Sequence, residues 1–136
     1  MMTLKHALNF RSSLRTSMAT RLAAGVVAVH GGAHLVGTQV AFEAARDGSS
    51  VDYLGGALEL TGSSLWLAGS MWAGLAAAFI AVAIAMWFDR LAWRAPLVVL
   101  ATASFAACVL GLWAAWIGIV VNVGIVGFVT VRAQTP

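Results

Sequence analysis

The stretch from Pro96 to Val131 reads PLVVLATASFAACVLGLWAAWIGIVVNVGIVGFVTV and contains no charged residue. A helix rises about 1.5 Å per residue, and the hydrocarbon core of a bilayer is roughly 30 Å thick. The stretch is therefore too long for one crossing and about right for two. The best place for a break is Gly111 to Trp116, because Trp113 and Trp116 would then lie at headgroup depth.

Two further apolar runs precede this stretch. Leu65 to Phe88 is the more strongly apolar, whereas Leu22 to Phe42 contains His30 and His34. Each run is long enough to cross the hydrocarbon core. Three spans with one long, tilted final helix are the alternative. We predict four spans, over residues 22–42, 65–88, 96–112 and 115–131.

The composition is typical of a membrane protein. Of the 136 residues, 61% are hydrophobic and 10% are charged, and a soluble domain of this size would expose large apolar patches. We expect an all-α membrane domain, a four-helix bundle over residues 21–132, after a basic cytoplasmic tail over residues 1–20. The tail is either an amphipathic helix lying on anionic lipid or a frayed topology signal.

Charge placement orients the predicted spans. Seven of the eight basic residues fall before the first span, between the second and third spans, or after the fourth span. The connection between the first two spans holds four of the five acidic residues. The positive-inside rule then places both termini in the cytoplasm, which requires an even number of spans. Because the basic residues set topology, we expect the bilayer as partner and no nucleic acid.

The connection between the first two spans contains two alternating segments, Ser50 to Leu54 and Ala57 to Thr61, on either side of Gly55-Gly56. Alternating residues around a glycine pair favour a short β-hairpin with a tight turn. An isolated hairpin is marginally stable in water, so it has to lie across the helices or dock on a partner. A short interfacial helix over residues 50–61 is the competing interpretation.

Three of the four predicted spans carry polar side chains at a similar depth. Counting along the helices places His30, Ser104 and Asn122 in one mid-membrane layer, and His34 shares the helix face of His30. Ionisable residues within a span are costly and usually functional. We therefore expect an interhelical hydrogen-bond cluster of these four residues. Structural packing, binding of a quinone or lipid head group, and a proton relay are its three candidate roles.

The residue pattern argues against cofactors and catalysis. Two histidines on one helical face cannot ligate both sides of a haem, which would need a second copy or a partner subunit. Zinc needs three or four ligands, and Glu43 is too far along the helix from His34. The single cysteine, Cys108, is expected to pack in the apolar interior. With no thiol pair, intramembrane carboxylate pair or phosphate loop, we expect no metal, no cofactor and no enzyme activity.

Small residues recur at helix-contact spacing in two predicted spans, and small residues allow helices to approach closely. We expect contacts inside the protein, and contacts to another chain are the alternative. The two sets are Ser70, Gly74 and Ala78 in the second span and Ala103, Ala107 and Gly111 in the third.

The first span opens with Arg21-Leu22-Ala23-Ala24-Gly25 and continues with His30-Gly31-Gly32-Ala33-His34-Leu35. This pattern resembles the start of DoxX-type four-helix membrane proteins, with His34 in the place of a lysine. Stretches such as Gly118-Ile119-Val120-Val121-Asn122-Val123 are similar to small four-span proteins of actinobacteria. The resemblance implies a bacterial inner membrane and an association with membrane redox assemblies.

Two functions are compatible with these patterns. The favoured one is a non-catalytic accessory or assembly subunit of a larger bacterial membrane complex, such as a lipid-import transporter or a respiratory assembly. The outer hairpin would then meet another integral membrane subunit by edge pairing. The alternative is a DoxX-like, redox-associated protein that binds a quinone or lipid through His30, His34 and Asn122.

Overall fold

The computed structural model describes the backbone of residues 4–88 and 93–134 and the side chains of residues 18–88, 93–111 and 115–134. Within these residues the chain is mostly helical, as the apolar runs predict. The elements, in order, are α1 (Leu4–Asp47), β1 (Val51–Tyr53), β2 (Leu58–Leu60), α2 (Ser63–Trp87), α3 (Arg94–Leu110) and α4 (Leu112–Gln134).

Two of the described helices are long and apolar enough to cross a membrane, namely α2 and residues Ala115–Gln134 of α4. The 25 residues of α2 correspond to about 37 Å, which exceeds the roughly 30 Å of a hydrocarbon core. The apolar helix α3 is shorter, with 17 residues. Helix α1 is long, but His30, His34 and Gln39 make its apolar section more polar than α2.

Helix α1 continues from the basic tail into the first apolar run without a break. Its 44 residues include most of the predicted tail, residues 1–20, and extend past both ends of the predicted span, residues 22–42. The helix ends at Asp47, and the next residue, Gly48, has a φ of 69°, the left-handed conformation that glycine adopts readily after helix ends. The contact of the tail with lipid stays a prediction.

The chain reverses direction at Gly111, within the predicted break. Asn122 Nδ2 on α4 lies 2.9 Å from Ser104 Oγ on α3. In one continuous helix these residues would be about 27 Å apart, so the single long final helix is wrong. Most of the connection between the second and third predicted spans, residues 89–92, lies outside the described residues.

The predicted hairpin is present, and the interfacial helix over residues 50–61 is wrong. Its turn is wider than the predicted Gly-Gly turn, because Leu54 also has a positive φ, 53°, and Leu54–Gly56 form a 3₁₀ turn. Both strands are therefore shorter than predicted. The antiparallel pairs are Val51 with Leu60, Asp52 with Glu59, and Tyr53 with Leu58.

Glycines of α1 allow its close approach to α2. A Cβ at Gly31 would lie 2.8 Å from Phe79 Cβ, and one at Gly37 would lie 3.0 Å from the Trp72 ring. Real Cβ atoms do not fit at such distances without a shift of their neighbours. The contact between the two helices therefore depends on these two glycines.

The small residues predicted to form internal contacts behave differently in the two helices. On α2, Ser70 and Gly74 are exposed, and nothing lies within 4 Å of a Cβ built at Gly74. Ala78 is half-buried, so the prediction of internal contacts is wrong for Ser70 and Gly74. On α3, Ala107 is buried and Ala103 is exposed, so only part of the second set contributes to packing.

Apolar packing is concentrated in the half of the molecule farther from the hairpin. In the half nearer the hairpin, a smaller buried cluster consists of Trp72, Ala107 and Cys108. The polar layer lies between the two clusters. The larger cluster contains Ala24, Val27, Phe79, Val82, Ala83, Met86, Trp93, Leu97, Ala101, Ile125 and Val129.

The two ends of the packed helices differ in charge. At the end away from the hairpin, three arginines lie beside aromatic rings. The hairpin end carries one arginine, Arg46, and four acidic residues, Glu43, Asp47, Asp52 and Glu59. From guanidinium carbon to ring centroid, the separations are 5.9 Å for Arg21 and Trp87, 5.6 Å for Arg94 and Trp93, and 5.6 Å for Arg132 and Phe128.

Candidate functional site

A buried polar cluster joins three helices near the middle of the molecule. His30 and His34 come from α1, Ser104 from α3 and Asn122 from α4. None of the four side chains is more than 6% exposed. The structure thus brings together all four residues that the sequence places in one layer, and we call them the polar cluster.

Ser104 Oγ is at the centre of the polar cluster. It lies 2.9 Å from His34 Nε2, 2.9 Å from Asn122 Nδ2 and 3.3 Å from His30 Nε2. Asn122 Oδ1 completes the network at 3.1 Å from His30 Nε2. Among the described residues, no buried side-chain nitrogen or oxygen lacks a hydrogen-bond partner. The cluster therefore avoids the cost of unsatisfied polar groups in an apolar interior.

Helical spacing explains how α1 contributes two members and how a further residue of α3 reaches the edge of the polar cluster. His30 and His34 are four residues apart and share one face of α1, with ring centroids 4.8 Å apart. Cys108 is four residues after Ser104, and its Sγ lies 3.9 Å from Asn122 Nδ2. The predicted packing of Cys108 is present. It is buried, but it also borders the polar cluster, and its spacing from Ser104 was the available signal.

Helix α2 contributes aromatic rings to the site instead of polar groups. The Phe79 ring packs against both imidazoles, with centroid distances of 5.0 Å to His30 and 5.5 Å to His34. The Trp72 ring lies 5.2 Å from His34. The sequence did not identify these rings, because a uniformly apolar helix shows no polar face that would indicate which side packs inward.

A cavity of about 460 Å³ lies between the polar cluster and the hairpin. This volume falls within the roughly 300–1,000 Å³ of ligand sites in proteins. His30, His34 and Cys108 form one side of the cavity, and residues 51–55 of the hairpin form another. The remaining wall comes from α1, Trp72 of α2 and the region where α3 meets α4, and it is largely apolar.

Tyr53 anchors the hairpin over the cavity. Its side chain is buried, and Trp72 Nε1 donates a hydrogen bond to its hydroxyl at 3.5 Å. The turn at Leu54–Gly56 contacts α4. The hairpin therefore lies across the helices. An isolated hairpin is marginally stable and has to pack in this way or dock on a partner. The sequence alone carries no signal that distinguishes Tyr53 from its neighbours in the hairpin.

The cavity has an apolar mouth between α1 and α4. Val36 on α1 and Ile117 on α4 both border the cavity, yet they are 65% and 59% exposed. Residues that line the cavity and are also exposed at the surface of the protein lie at the rim of its opening. The two helices contact each other sparsely, which leaves this side open.

The cavity offers little charge to a ligand. Among the described residues that line it, Asp52 is the only charged one. The described residues also contain no group of three or more His, Cys, Asp or Glu side chains placed to hold a metal ion. The arrangement can therefore surround an apolar body and hydrogen-bond a compact head group at the imidazoles.

No family model, curated protein or solved structure matches this chain. The resemblance to DoxX-type and actinobacterial proteins stays a prediction, and so does the association with redox assemblies.

Proposed function

We propose that this protein holds a membrane-dissolved amphiphile, such as a quinone or another lipid, with its head group at the polar cluster. The observation that carries the proposal is the cavity, which has two buried histidines on one side and an apolar mouth on another. Ligand sites in proteins combine apolar walls with a few placed polar groups in this way.

Charge and hydropathy support a four-span arrangement in a bacterial inner membrane, with both termini in the cytoplasm. Two described helices are long and apolar enough to cross. Arginines beside aromatic rings lie at one end and acidic residues at the other, as expected from the positive-inside rule and the aromatic belts of membrane proteins. The mouth between α1 and α4 then faces lipid tails.

The cavity favours ligand binding over purely structural packing. Clefts of this size with apolar walls and a few convergent polar groups are the usual form of a ligand site, and a protein has few of them. The hydrogen bonds of the polar cluster are made without any contribution from the cavity. Structural packing accounts for the polar cluster, but it does not account for the cavity of about 460 Å³ beside it.

The accessory-subunit function favoured by the sequence stays a prediction. Exposed apolar side chains cover the outer faces of the helices, and lipid tails would cover them as well as a partner would. Purification in mild detergent tests the hypothesis. Partner subunits that co-purify would support it, and a chain that migrates alone would count against it.

Lipid extraction and mass spectrometry of the purified protein test the ligand-binding proposal. We expect one class of amphiphile to be enriched over the bulk membrane lipids. Ala115→Phe places a ring in the cavity wall and should lower the bound amount by about tenfold, equivalent to about 1.4 kcal/mol.

Ala81→Phe is the matched control, because it adds the same volume at an exposed position of α2 away from the cavity. This variant should retain the amphiphile. The proposal fails when wild-type protein carries only bulk lipids, or when Ala115→Phe retains as much ligand as Ala81→Phe.

A further inference from the structure

The polar cluster leaves one nitrogen of each imidazole for a ligand. All hydrogen bonds of His30 and His34 to the cluster use Nε2, and no described residue bonds to either Nδ1. Because no buried side-chain nitrogen among the described residues lacks a partner, each Nδ1 must keep some accessible surface. Both rings border the cavity, so the two Nδ1 atoms are available to a molecule inside it.

The direction of the hydrogen bonds determines which Nδ1 carries a proton. Asn122 Oδ1 can only accept, so His30 Nε2 donates to it and the Nδ1 of a neutral His30 is an acceptor. Asn122 Nδ2 donates to Ser104 Oγ, and the Ser104 proton goes to His34 Nε2 at 2.9 Å and not to Cys108 Sγ, a weak acceptor that is 4.0 Å away. His34 then carries its own proton on Nδ1. The cavity meets one acceptor and one donor.

Rotation of the Asn122 amide by half a turn gives the same result. Nδ2 then donates to His30 Nε2, which leaves the proton of His30 on Nδ1. Ser104 donates to Oδ1 and accepts from His34 Nε2, which leaves a lone pair on His34 Nδ1. The chain of hydrogen bonds runs in the opposite direction, but the cavity again meets one donor and one acceptor.

The charge of the residues that line the cavity further restricts the chemical class of the head group. The described lining contains no Lys or Arg and one carboxylate, Asp52. Phosphate and carboxylate groups are bound in proteins mainly by cationic donors, and Asp52 would repel them. No carboxylate among the described residues is hydrogen-bonded to either imidazole, so the rings have no counter-charge that would favour burying them charged.

We propose that the site selects an uncharged hydroxyl head group on an apolar body. A hydroxyl accepts from one Nδ1–H and donates to the other Nδ1, and the two ring centroids are only 4.8 Å apart. A ketone or an oxidised quinone offers acceptors alone and leaves one Nδ1 unpaired. This inference rests on the proposed function. Quinols, isoprenoid alcohols and diacylglycerols share the chemistry, and the mass of the co-purified lipid distinguishes them.

Competition between matched probes tests this selectivity. Purified wild-type protein in detergent is incubated with tritiated farnesol, and unlabelled farnesol, farnesyl methyl ether and farnesoic acid compete for binding. The ether keeps an acceptor but loses the donor, and the acid is anionic at neutral pH. We expect half-competition to require about a tenfold higher concentration of the ether or the acid than of farnesol. The reason is that an unmade hydrogen bond to a buried partner costs on the order of 1.4 kcal/mol.

The outcomes separate this inference from the proposed function. Equal competition by farnesol and its methyl ether overturns the hydroxyl selectivity while leaving ligand binding in place. Stronger competition by farnesoic acid overturns the argument from charge. No saturable binding of any probe overturns the proposed function and the inference with it.

His34→Phe adds a check on the residue itself, because it keeps a ring and removes both nitrogens. The preference for farnesol over the ether should then disappear, provided that circular dichroism shows unchanged helicity. A preference that persists in the folded variant contradicts the role given to His34. The wild-type comparison decides the proposal even if this variant does not fold.

Discussion

Ser104 is the residue on which the polar cluster depends. Its fully buried hydroxyl links α1 to α4 from its position on α3, because one hydroxyl can donate once and accept twice. Without it, His34 Nε2 loses its bond to the protein and Asn122 Nδ2 loses its strongest partner. The cost of those unpaired groups would exceed the modest net contribution of the hydrogen bonds themselves.

The substitution Ser104→Ala should therefore destabilise the protein by about 1–3 kcal/mol. Thermal unfolding in detergent, followed by circular dichroism, measures the effect as a lowered midpoint. Thr102→Ala is the control on the same helix, because the Thr102 hydroxyl is exposed and donates only to Val98 O within α3. Similar midpoints for the two variants would show that the cluster contributes little to stability.

Close approach of α1 to α2 gives a prediction at the level of elements. A Cβ at Gly31 would lie 2.8 Å from Phe79 Cβ and 3.3 Å from the Ala76 carbonyl oxygen. Gly31→Ala should therefore separate the helices and destabilise the protein by about 1–3 kcal/mol. It should also weaken ligand binding, since Phe79 packs against both imidazoles. Unfolding midpoints and the farnesol assay measure the two effects.

Gly32→Ala is the control for this prediction. Nothing lies within 4 Å of a Cβ at Gly32, and alanine favours helix by up to about 1 kcal/mol over glycine. This variant should be as stable as wild type or more stable. If Gly31→Ala is equally well tolerated, the close approach of α1 to α2 is not needed for stability.

The sequence predicts a helix, a turn or a hairpin correctly where one local property determines that element. The break at Gly111 follows from the length of an uncharged run, and the hairpin follows from alternating residues around glycines. The polar cluster was predictable because depth along a helix can be counted from its ends. His30, Ser104 and Asn122 consequently met as expected.

Packing faces were not predictable from the same patterns. Helix α2 is apolar on all sides, so its small residues did not reveal that Trp72 and Phe79 face inward while Gly74 is exposed. The cavity depends on the gap between α1 and α4 and on the hairpin placed over it. Both are tertiary features with no local signal in the sequence.

The molecule as a whole has a packed half and a hollow half. The larger apolar cluster lies away from the hairpin, and the cavity lies beneath the hairpin. The polar cluster separates them and is held by α1, α3 and α4 together. A rigid packed half fixes the imidazoles in position, and sites supported in this way bind with less loss of conformational freedom.

The proposed orientation of this asymmetric molecule in a membrane can be measured with introduced cysteines. Glu59→Cys reports on the hairpin end and Gln134→Cys on the C-terminal end, both at exposed positions. A cysteine added ahead of Met1 reports on the N terminus. The native Cys108 is buried, so wild-type protein is the unlabelled control.

We expect a membrane-impermeant maleimide to label only Glu59→Cys in intact cells, and the two terminal cysteines only after permeabilisation. The reason is the charge difference between the ends, since arginines are retained in the cytoplasm more strongly than acidic residues are excluded from it. Labelling of only one terminus in intact cells would mean an odd number of crossings and would contradict the four-span proposal. Labelling of both termini and not of the hairpin would keep four crossings but reverse the protein, so the cavity and Tyr53 would lie nearer the cytoplasmic face.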